Sequence, residues 1–440
     1  MAERRHARIG DIFIIEKGIT GLAKANPGPY PLVTTGAERK TSLDYQFNAK
    51  AVCIPLVSST GHGKKTLNYV HYQEGNFALG SILAALLPKD ENIISARYLH
   101  VYLQKNKDRL LVPLMRGAAN VSLSIKDIAN LEIPIPPLKE QETIIKKIDG
   151  LAENHRRLLN EIAVQLNLLE KLRQQVLQEA IEGKLTTKWR KEHLELISGN
   201  NHASRLLENI KAEKEQSMRE GKIKKEKPLP PITDEEKPFD LPEGWAWCRL
   251  GEITNVVRGG SPRPAGDKRF YEGNIPFLKV SDLTSDNQIY LKSSSYSIKE
   301  AGLIKTRHVE ANTLMLTNSG ATLGIPKICT FPTTFNDGIA AFLGIHNHLN
   351  KVFLYYFLKA KSKWFLMEAA RGQGQPNLNT DIIGLTTLAL PPTAEQQAIV
   401  ERVENLLNIV DELEIQVSER KDLSEKLMQA VLREAFTEGD

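Results

Sequence analysis

The stretch PPLKEQETIIKKIDGLAENHRRLLNEIAVQLNLLEKLRQQVLQEA, residues 136–180, returns as PPTAEQQAIVERVENLLNIVDELEIQVSERKDLSEKLMQAVLREA at residues 391–435. The two copies align without a gap at a constant offset of 255 residues. Both begin with a proline pair followed by Glu-Gln, and both end in Val-Leu-x-Glu-Ala. Self-similarity over this length indicates an internal duplication.

Each copy has the pattern of one long helix. Proline is tolerated in the first turn of a helix, and a carboxylate such as Glu140 or Glu395 is favoured there. Apolar residues then recur at alternating spacings of three and four, which predicts a coiled-coil seam. The first seam contains Ile144, Ile148, Leu151, Leu158, Ile162, Leu166, Leu169, Leu172 and Val176. The second contains Ile399, Val403, Leu406, Val410, Leu413, Val417, Leu427 and Val431.

One histidine interrupts the first seam, His155, where the second seam has Val410. We interpret His155 as a register or packing feature rather than a ligand. A helix of about 44 residues would be roughly 65 Å long at 1.5 Å per residue, which is typical of a spacer or a docking surface.

The duplication extends upstream of the helices. Arg116-Gly117 matches Arg371-Gly372 at the same offset, and residues 8–12, RIGDI, match residues 249–253, RLGEI, at an offset of 241. The two globular segments therefore share a frame and differ in their middles. Variable centres on a common frame suggest two readers of different targets.

Charge is divided unevenly along the chain. The net charge is +6 over residues 1–136 and +4 over residues 239–391, but −1 over residues 137–183 and −7 over residues 392–440. Positive charge collects on the two globular segments, and such surfaces favour a polyanion through counterion release. Solvated lysines on ordinary surfaces would give the same count.

The segment between the halves reads as a linker. An amphipathic helix is expected near residues 203–220, followed by the exposed run GKIKKEKPLPP at residues 221–231. We interpret this lysine-rich run as a solvated tether rather than as a nucleic-acid contact. We predict five segments: a globular domain at 1–136, a helix at 137–183, a charged linker at 184–238, a second globular domain at 239–391 and a helix at 392–440.

Composition bounds the class of protein. Hydrophobic residues are 41% and charged residues 25%, which is typical of globular chains. The three cysteines are far apart and favour a reduced, cytoplasmic setting. No apolar stretch follows the N-terminal charges, and residues 77–87 are too short to cross a bilayer, so neither an export signal nor a membrane span is expected.

No catalytic motif is complete. Residues 58–66, SSTGHGKKT, resemble a phosphate-binding loop, but Ser58 replaces the first glycine and Lys65 replaces the final Ser or Thr. Residues 26–30, NPGPY, resemble the Asn-Pro-Pro-Tyr motif of adenine methyltransferases with an inserted glycine. The histidines do not cluster as metal ligands. We predict no catalytic residue, no metal site and no cofactor on this chain.

The residues suited to DNA contact are basic and amide side chains in glycine-rich or polar loops. Arg and Lys neutralise phosphates, whereas Arg, Asn and Gln can also contact base edges. Arg116 and Arg371 match between the copies and favour a fold role. The candidate DNA-binding residues are Lys64, Lys65, Asn120, Arg258, Arg263, Lys268, Arg269, Gln373 and Gln375.

These features together resemble the specificity subunit of type I restriction-modification systems. The resemblance is carried by the Pro-Pro-x-x-Glu-Gln helix starts at Pro136 and Pro391, the Leu-Pro-Glu-Gly-Trp opening at residues 241–245, the Gly10 and Gly251 segments, and the half-length repeat. The first domain departs from it, since it lacks the Leu-Pro-Glu-Gly-Trp opening.

The resemblance implies an α+β chain with two target recognition domains, each reading one half of a split target in double-stranded DNA. It also implies that the two long helices form an antiparallel coiled coil with pseudo-twofold symmetry, which we expect to set the spacing of the half-sites. The helices would dock two modification subunits and restriction subunits through starts that include Glu140, Gln141, Glu395 and Gln396. S-adenosylmethionine, ATP and Mg²⁺ would belong to those partners.

Two alternatives stay open. One is a stand-alone sequence-specific DNA-binding or antirestriction-type protein, and the other is a degenerate adenine DNA methyltransferase.

Overall fold

The computed structural model describes residues 5–21, 25–60, 63–220, 228–370 and 376–437. The chain forms two compact units. Unit 1 comprises Met1–Val164 and Val417–Asp440, and unit 2 comprises Gln165–Gln416. Each unit combines β-sheets with helices, so the predicted α+β class is confirmed.

Unit 1 combines three small sheets with helices, of which α2 is the longest that lies wholly within the unit. Its elements are β1 (Arg5–Arg8), α1 (Ile9–Ile12), β2 (Phe13–Lys17), β3 (Tyr30–Val33), β4 (Lys40–Ser42), β5 (Phe47–Asn48), β6 (Ala51–Pro55), β7 (His71–Gln73), β8 (Asn76–Leu79), β9 (Leu83–Pro88), α2 (Ala96–Leu110), α3 (Ile125–Ala129), β10 (Glu132–Ile135) and the beginning of α4 (Leu138–Ile181). The strand orders are β2-β9-β6-β7, β4-β3-β8-β5 and β1-β10. Strands β6 and β9 are buried runs of apolar residues at the centre of the first sheet.

Unit 2 repeats this plan with additions. Its elements after α4 are α5 (Thr187–Glu192), α6 (Ala203–Arg219), β11 (Ala246–Arg249), α7 (Leu250–Ile253), β12 (Asn255–Arg258), β13 (Tyr271–Leu278), α8 (Val280–Leu283), β14 (Tyr290–Leu291), β15 (Ser297–Ile298), α9 (Glu300–Leu303), β16 (Arg307–Val309), β17 (Thr313–Thr317), β18 (Pro326–Cys329), β19 (Thr333–Phe335), β20 (Ile339–Leu343), α10 (Lys351–Trp364), α11 (Thr380–Leu385), β21 (Thr387–Leu390) and the first part of α12 (Thr393–Thr437), whose last part belongs to unit 1. The strand orders are β12-β20-β17-β18-β14, β15-β13-β19-β16 and β11-β21.

Strand pairing makes the duplication visible. Leu32 of β3 pairs in parallel with Ala78 of β8, and Phe277 of β13 pairs in parallel with Thr334 of β19. Each unit also joins a strand at its start antiparallel to the strand before the long helix, β1 with β10 and β11 with β21. The two units therefore share one frame, and β14 at a sheet edge belongs to unit 2 alone.

One domain helix in each unit is capped in a similar way. Ser95 accepts a hydrogen bond from the Tyr98 backbone N–H at the start of α2. Asn350 accepts from the N–H groups of Val352 and Phe353 at the start of α10. A side-chain oxygen at the N-cap satisfies donors that the first helical turn leaves unpaired. The cap fixes where each helix begins over its sheet.

Segments of α4 and α12 run antiparallel within each unit. In unit 1, Lys147 pairs with Glu434 at 3.5 Å, and His155 Nδ1 lies 2.8 Å from Ser424 Oγ. Later residues of α4 thus contact earlier residues of α12, as in an antiparallel pair. His155 therefore lies at the interface between the helices, which agrees with its interpretation as a packing feature.

Unit 2 shows the same direction of pairing. Arg173 of α4 pairs with Asp411 and with Glu414, at 2.7 Å to the latter. Further along the chain, Thr186 contacts Glu395 at the beginning of α12.

The predicted seam is wrong at several positions. Leu166, Leu172, Leu413 and Leu427 are exposed, although the heptad pattern assigned them to the seam. Because the apolar period drifts relative to the helix, partly buried neighbours such as Arg173 and Met428 take those places.

The segment predicted as a linker is partly folded. The expected helix is present as α6, and it buries Ala203, Leu206, Leu207 and Ile210 against the core of unit 2. An amphipathic helix that buries one apolar face belongs to the domain on which it packs. The lysine-rich run at residues 221–227 lies outside the described residues.

Candidate nucleic-acid interface

Four loops meet at one end of the strands of unit 1. They are residues 18–21, 56–66, 80–82 and 116–122, of which 61 and 62 are outside the described residues. Backbone hydrogen bonds join them: Ser58 N–H to Val121 O at 3.0 Å, Leu56 N–H to Ile82 O at 2.8 Å, and Ser81 N–H to Thr20 O at 2.9 Å. We call these loops loop cluster 1.

Loop cluster 1 brings together three predicted DNA-binding residues, Lys64, Lys65 and Asn120, which are all exposed. The N–H of Gly63 donates to Ala119 O at 3.4 Å and connects the two loops that carry them. Gly63 has a φ of 79°, a conformation that favours glycine. Two cations and an amide thus share one surface.

Hydroxyl groups hold the lysine loop together. Thr60 Oγ1 and Thr66 Oγ1 lie 2.8 Å apart, and Ser58 Oγ donates to the backbone oxygen of Lys64. These bonds stay within the loop and explain its serine and threonine content. The resemblance to a phosphate-binding loop falls partly on Gly61 and His62, which lie outside the described residues.

Four corresponding loops meet in unit 2. They are residues 259–269, 318–324, 336–338 and 376–378. Their backbone bonds are Gly259 N–H to Ile339 O at 3.1 Å, Gly260 N–H to Phe335 O at 3.0 Å, Asn318 N–H to Gly338 O at 2.9 Å, and Gly320 N–H to Pro376 O at 3.0 Å. We call these loops loop cluster 2.

Two predicted arginines converge on Asp337 in loop cluster 2. Arg258 Nε donates to the Asp337 backbone oxygen at 2.6 Å, and Arg263 Nη2 lies 3.7 Å from Asp337 Oδ2. Ser261 Oγ donates to Asp337 Oδ1 at 2.6 Å. Burial works to raise the pKa of Asp337, but the Ser261 hydrogen bond and the two arginine charges lower it overall. Asp337 was not found by sequence reasoning.

The other predicted basic residues of unit 2 lie in the same loop but make different contacts. Arg269 pairs with Asp267 at 2.6 Å, and the Lys268 backbone oxygen accepts from Lys299 Nζ at 2.8 Å. Both Lys268 and Arg269 are exposed. Two further candidates, Gln373 and Gln375, lie outside the described residues.

Arg116, which the repeat assigns to the frame, exchanges backbone hydrogen bonds with Ser122 at 2.8 Å in both directions. Its guanidinium lies 3.4 Å from Asp127 and is 80% exposed. Its backbone therefore belongs to the frame of unit 1, whereas its counterpart Arg371 lies outside the described residues.

The glutamine of the Pro-Pro-x-x-Glu-Gln motif is buried in both units, which corrects its assignment to partner docking. Gln141 accepts from the Ser95 N–H at 2.9 Å, and Gln396 accepts from the Asn350 N–H at 2.8 Å. Each glutamine also donates to the backbone oxygen of the first proline of its motif. The two side chains thus join the start of a long helix to the cap of a domain helix, and neither is available to a partner.

Glu395 is also buried, so its assignment to docking is corrected as well. It accepts hydrogen bonds from Trp245 Nε1 at 2.8 Å and Thr186 Oγ1 at 2.6 Å, and it pairs with Arg190. Burial raises the pKa of Glu395, and these three partners offset part of that effect. The Leu-Pro-Glu-Gly-Trp opening therefore anchors to the beginning of α12. The matching Glu140 of unit 1 is half-buried.

Exposed leucines occur at repeat-equivalent places on the two long helices. In unit 2, Leu168 is 55% and Leu172 43% exposed; in unit 1, Leu423 is 68% and Leu427 57% exposed. Each pair is four residues apart and thus on one face of its helix. The members of one pair correspond to those of the other at the 255-residue offset.

In unit 2 this leucine face is turned away from the globular part. Glu170 and Gln174 of α4 line a cavity together with Tyr355 and Tyr356 of α10. Because a helix turns about 100° per residue, positions two apart point to nearly opposite sides. Leu168 and Leu172 therefore lie opposite the side that faces α10.

The cysteines are buried, and burial raises the pKa of Cys53 to about 12 and of Cys329 to about 11. Thiols with such pKa values are poor nucleophiles. Within the described residues, no group of three or more His, Cys, Asp or Glu side chains could hold a metal ion. No helix in the described ranges is long and apolar enough to cross a membrane.

Comparison with known proteins follows the same duplication. The family model for the type I restriction modification DNA specificity domain matches residues 4–167 and 242–420. The chain is 26% identical over 349 residues to the type I restriction enzyme EcoAI specificity subunit of Escherichia coli, covering 69% of this chain and 57% of the relative. It is 29% identical over 278 residues to the EcoEI specificity subunit of the same species, covering 60% and 45%. The chain thus spans about half the length of these two relatives.

Solved structures agree on the fold. One, described as showing complex assembly and conformational transition of the type I R-M system, matches with a TM-score of 0.66 at 18% identity, covering 100% of this chain and 99% of that one. The HsdS subunit of Thermoanaerobacter tengcongensis matches with a TM-score of 0.57 at 18% identity, covering 100% and 98%. The chain belongs to the family of type I restriction modification DNA specificity domains, of which it carries two copies.

Proposed function

We propose that this chain is the non-catalytic DNA sequence-specificity subunit of a type I restriction-modification complex and recognises a bipartite target in double-stranded DNA. The domains at residues 1–136 and 239–391 each read one half of the target. The observation that carries this proposal is the pair of loop clusters: each copy of the specificity domain presents exposed cations and polar groups at the same end of its strands.

Each loop cluster supplies contacts to one half-site. Lys64, Lys65 and Asn120 serve the first half, and Arg258 and Arg263 serve the second with Lys268 and Arg269. Lysine and arginine neutralise phosphates and release counterions, whereas asparagine reads base edges. Gln373 and Gln375 are proposed for the second half on sequence grounds alone.

The exposed leucine pairs are the proposed docking points for two modification subunits. Burying an exposed leucine stabilises a complex by about 1.5–3 kcal/mol when the side chain becomes fully covered. Leu168 with Leu172, and Leu423 with Leu427, are equivalent in the repeat, so one kind of partner can use the same contact twice. This replaces the buried Gln141, Glu395 and Gln396 as the docking surface.

The chemistry belongs to the partners in this proposal. Modification subunits bring S-adenosylmethionine, and restriction subunits bring ATP and Mg²⁺. The complex acts on DNA in the cytoplasm.

The length of the long helices is proposed to set the gap between half-sites. Inserting one heptad into α4, with or without a matching heptad in α12, should change the preferred gap in DNA selected by the complex. An unchanged gap would contradict this role.

Reconstitution separates the proposal from its two alternatives. The isolated full chain should bind no S-adenosylmethionine in calorimetry, and methylation of host DNA should appear only when a modification subunit is added. Cofactor binding by the chain alone would favour a degenerate methyltransferase. Tight, selective DNA binding that no partner changes would favour a stand-alone DNA-binding protein.

A further inference from the structure

Three asparagines of loop cluster 2 have side-chain atoms without hydrogen-bond partners. They are Asn318, whose Nδ2 and Oδ1 are both unpaired, and Asn336 and Asn377, each with an unpaired Oδ1. Within the described part of the chain, these are four of the six buried side-chain polar atoms in that condition. Unpaired buried amides are therefore concentrated at one place in unit 2.

The three asparagines lie on loops that meet near Gly338. Asn318 donates its backbone N–H to Gly338 O at 2.9 Å, and Asn377 forms a β-bridge with Ser319, the residue after Asn318. A Cβ placed on Gly338 would lie 2.7 Å from Val280 Cγ2, 2.9 Å from Ser319 Oγ and 3.4 Å from Asn336 Nδ2. The neighbouring side chains therefore pack too closely against Gly338 to accommodate a larger residue there.

Unit 1 fills the corresponding place differently. Its Leu56 donates to Ile82 O at 2.8 Å and accepts from the Leu123 N–H at 2.9 Å, just as Asn318 donates to Gly338 O and accepts from the Leu378 N–H at 2.8 Å. By these bonds Leu56 corresponds to Asn318 and Ile82 to Gly338.

The other two asparagines also have counterparts. Gly80 donates to Val33 O at 3.0 Å as Asn336 donates to Leu278 O at 2.9 Å, and the Val57–Ser122 bridge corresponds to the Ser319–Asn377 bridge. Unit 1 thus has leucine, glycine and serine where unit 2 has three asparagines.

The amides of unit 2 are costly for the fold. A buried donor or acceptor without a partner costs about 1–3 kcal/mol. The residues of unit 1 satisfy the same backbone frame without that cost, so packing does not require asparagine at these positions. Buried polar groups without a partner in the chain call for another hydrogen-bonding partner, which a molecule bound at this surface can supply.

The unpaired atoms define the chemistry of that partner. All three asparagines offer an Oδ1 acceptor, which needs an N–H donor. In the DNA major groove such donors are the exocyclic amino groups of adenine and cytosine, and asparagine pairs with adenine through two hydrogen bonds. Arg258 and Arg263, exposed beside Asp337, supply the positive charge that phosphates on either side of the base require.

We propose that Asn336 and Asn377 read an amino-bearing base, adenine in preference to cytosine, in the half-site of unit 2. Asn318, which is more deeply buried, positions the loops that carry them. The inference rests on the proposed function. Asn336 and Asn377 are half-buried, whereas Asn318 is fully buried. Turning the Oδ1 atoms of the first two toward DNA breaks no hydrogen bond of theirs, so the free protein keeps them available.

The test selects bound DNA from a library of random duplexes, using the full chain in its complex with the modification subunit. Asn336→Gly and Asn377→Ser introduce the residues of unit 1. Each should reduce discrimination at one or two positions of the second half-site by about 10- to 100-fold, the equivalent of one base-reading pair. Selection at the first half-site should not change. Asn287→Ser, an exposed asparagine beside the edge strand β14, is the matched control.

A third variant separates reading from folding. Asn318→Leu removes the buried unpaired amide and should raise the unfolding midpoint while weakening selection at the second half-site. Loss of stability with unchanged selection would mean that Asn318 is a fold residue, and would overturn its role.

The outcomes show separately whether the asparagine proposal fails and whether the proposed function fails. Unchanged selection by Asn336→Gly and Asn377→Ser, with the wild type still choosing a split site, overturns the inference alone. Altered preference at the first half-site overturns it too. A wild-type complex that selects no split site contradicts the proposed function itself.

Discussion

Loop cluster 1 and loop cluster 2 are built on the same frame and carry different chemistry. Unit 1 presents Lys64 and Lys65 on a loop tied by hydroxyl groups, and fills its centre with Leu56. Unit 2 has two arginines at Asp337 and three asparagines on the loops that meet near Gly338. The backbone bonds that join the loops are kept, whereas the side chains they display are not. Loops at the end of a packed sheet can diverge because the core does not depend on them.

At the beginnings of the two long helices one side-chain contact is the same in both units and another differs. Gln141 and Gln396 make equivalent bonds in the two units, but the preceding glutamates differ. Glu395 is enclosed by Trp245, Thr186 and Arg190, while Glu140 is half-buried. The difference follows from the Leu-Pro-Glu-Gly-Trp opening, which only the second domain has.

The largest expected effect is at this junction. Arg190→Met leaves Glu395 buried without its ionic partner and should destabilise unit 2 by about 3–5 kcal/mol. The loss should grow as the pH rises above the ordinary carboxyl pKa, because the unpaired group must then be charged. Urea unfolding followed by tryptophan fluorescence measures it, since Trp189, Trp245, Trp247 and Trp364 all belong to unit 2.

The matched control is the corresponding glutamate of unit 1. Glu140→Gln should change the free energy of unfolding of unit 1 by less than about 1 kcal/mol, as expected for a half-buried polar group. Hydrogen exchange of α2 measures it, because unit 1 contains no tryptophan. Equal losses for Arg190→Met and Glu140→Gln would remove the contrast between the two helix starts.

Substitutions at the leucine pairs test whether the units are equivalent for docking. Leu168→Arg with Leu172→Arg should weaken retention of one modification subunit at least about tenfold, a loss of roughly 1.4 kcal/mol or more. Leu423→Arg with Leu427→Arg should have the same effect on the other. Quantitative copurification on the tagged chain measures the stoichiometry. The control combines Asn167→Arg with Gln429→Arg, which adds the same two charges at exposed positions of the same helices that lie off the leucine faces. Full retention by both leucine variants would remove the docking proposal.

The smallest expected effect is a pH dependence confined to unit 1. Burial, with the charges of Arg39 and Arg97, lowers the pKa of His71 and of His100 to about 4. Histidine in an unfolded chain has a pKa of about 6.5, so the unfolded state binds protons first. The stability of unit 1 should be complete above about pH 6.5 and decrease as the pH falls toward 4.

Hydrogen exchange of α2 between pH 7 and pH 5 measures this change in unit 1. His100→Gln should reduce the pH dependence, whereas His6→Gln, at an exposed position of β1, should leave it unchanged. A pH dependence equal in all three proteins would contradict the assignment to the buried histidines.

The repeated helices were predictable because periodicity and an ungapped repeat are local properties of the sequence. The residues of the seam between them were less predictable. Where two apolar residues are adjacent, such as Leu427 and Met428, the sequence fits two helix registers, and only packing decides which residue faces the other helix. The sequence marks the glutamine of the helix motif as important, but its bond to Ser95 or Asn350 joins residues 46 positions apart. A bond of that kind has no sequence signature, so the motif alone suggests a docking role instead.

The candidate site was predictable in kind and only partly in detail. Basic residues in glycine-rich loops identified Lys64, Lys65, Arg258 and Arg263, because charge is readable in any sequence. The asparagines around Gly338 come from three separate loops, and nothing in their local sequence unites them. The expectation that specificity lies where the halves differ points to them once strand register aligns Asn318 with Leu56.

We propose that the two copies of the specificity domain read two different half-sites for a partner that methylates them. Mapping methylated adenines across the host genome, in the wild type and after deletion of this chain, tests it most directly. We expect a split motif with two dissimilar halves and a fixed gap, which disappears on deletion. A contiguous or palindromic motif, or a methylation pattern that survives the deletion, would contradict it.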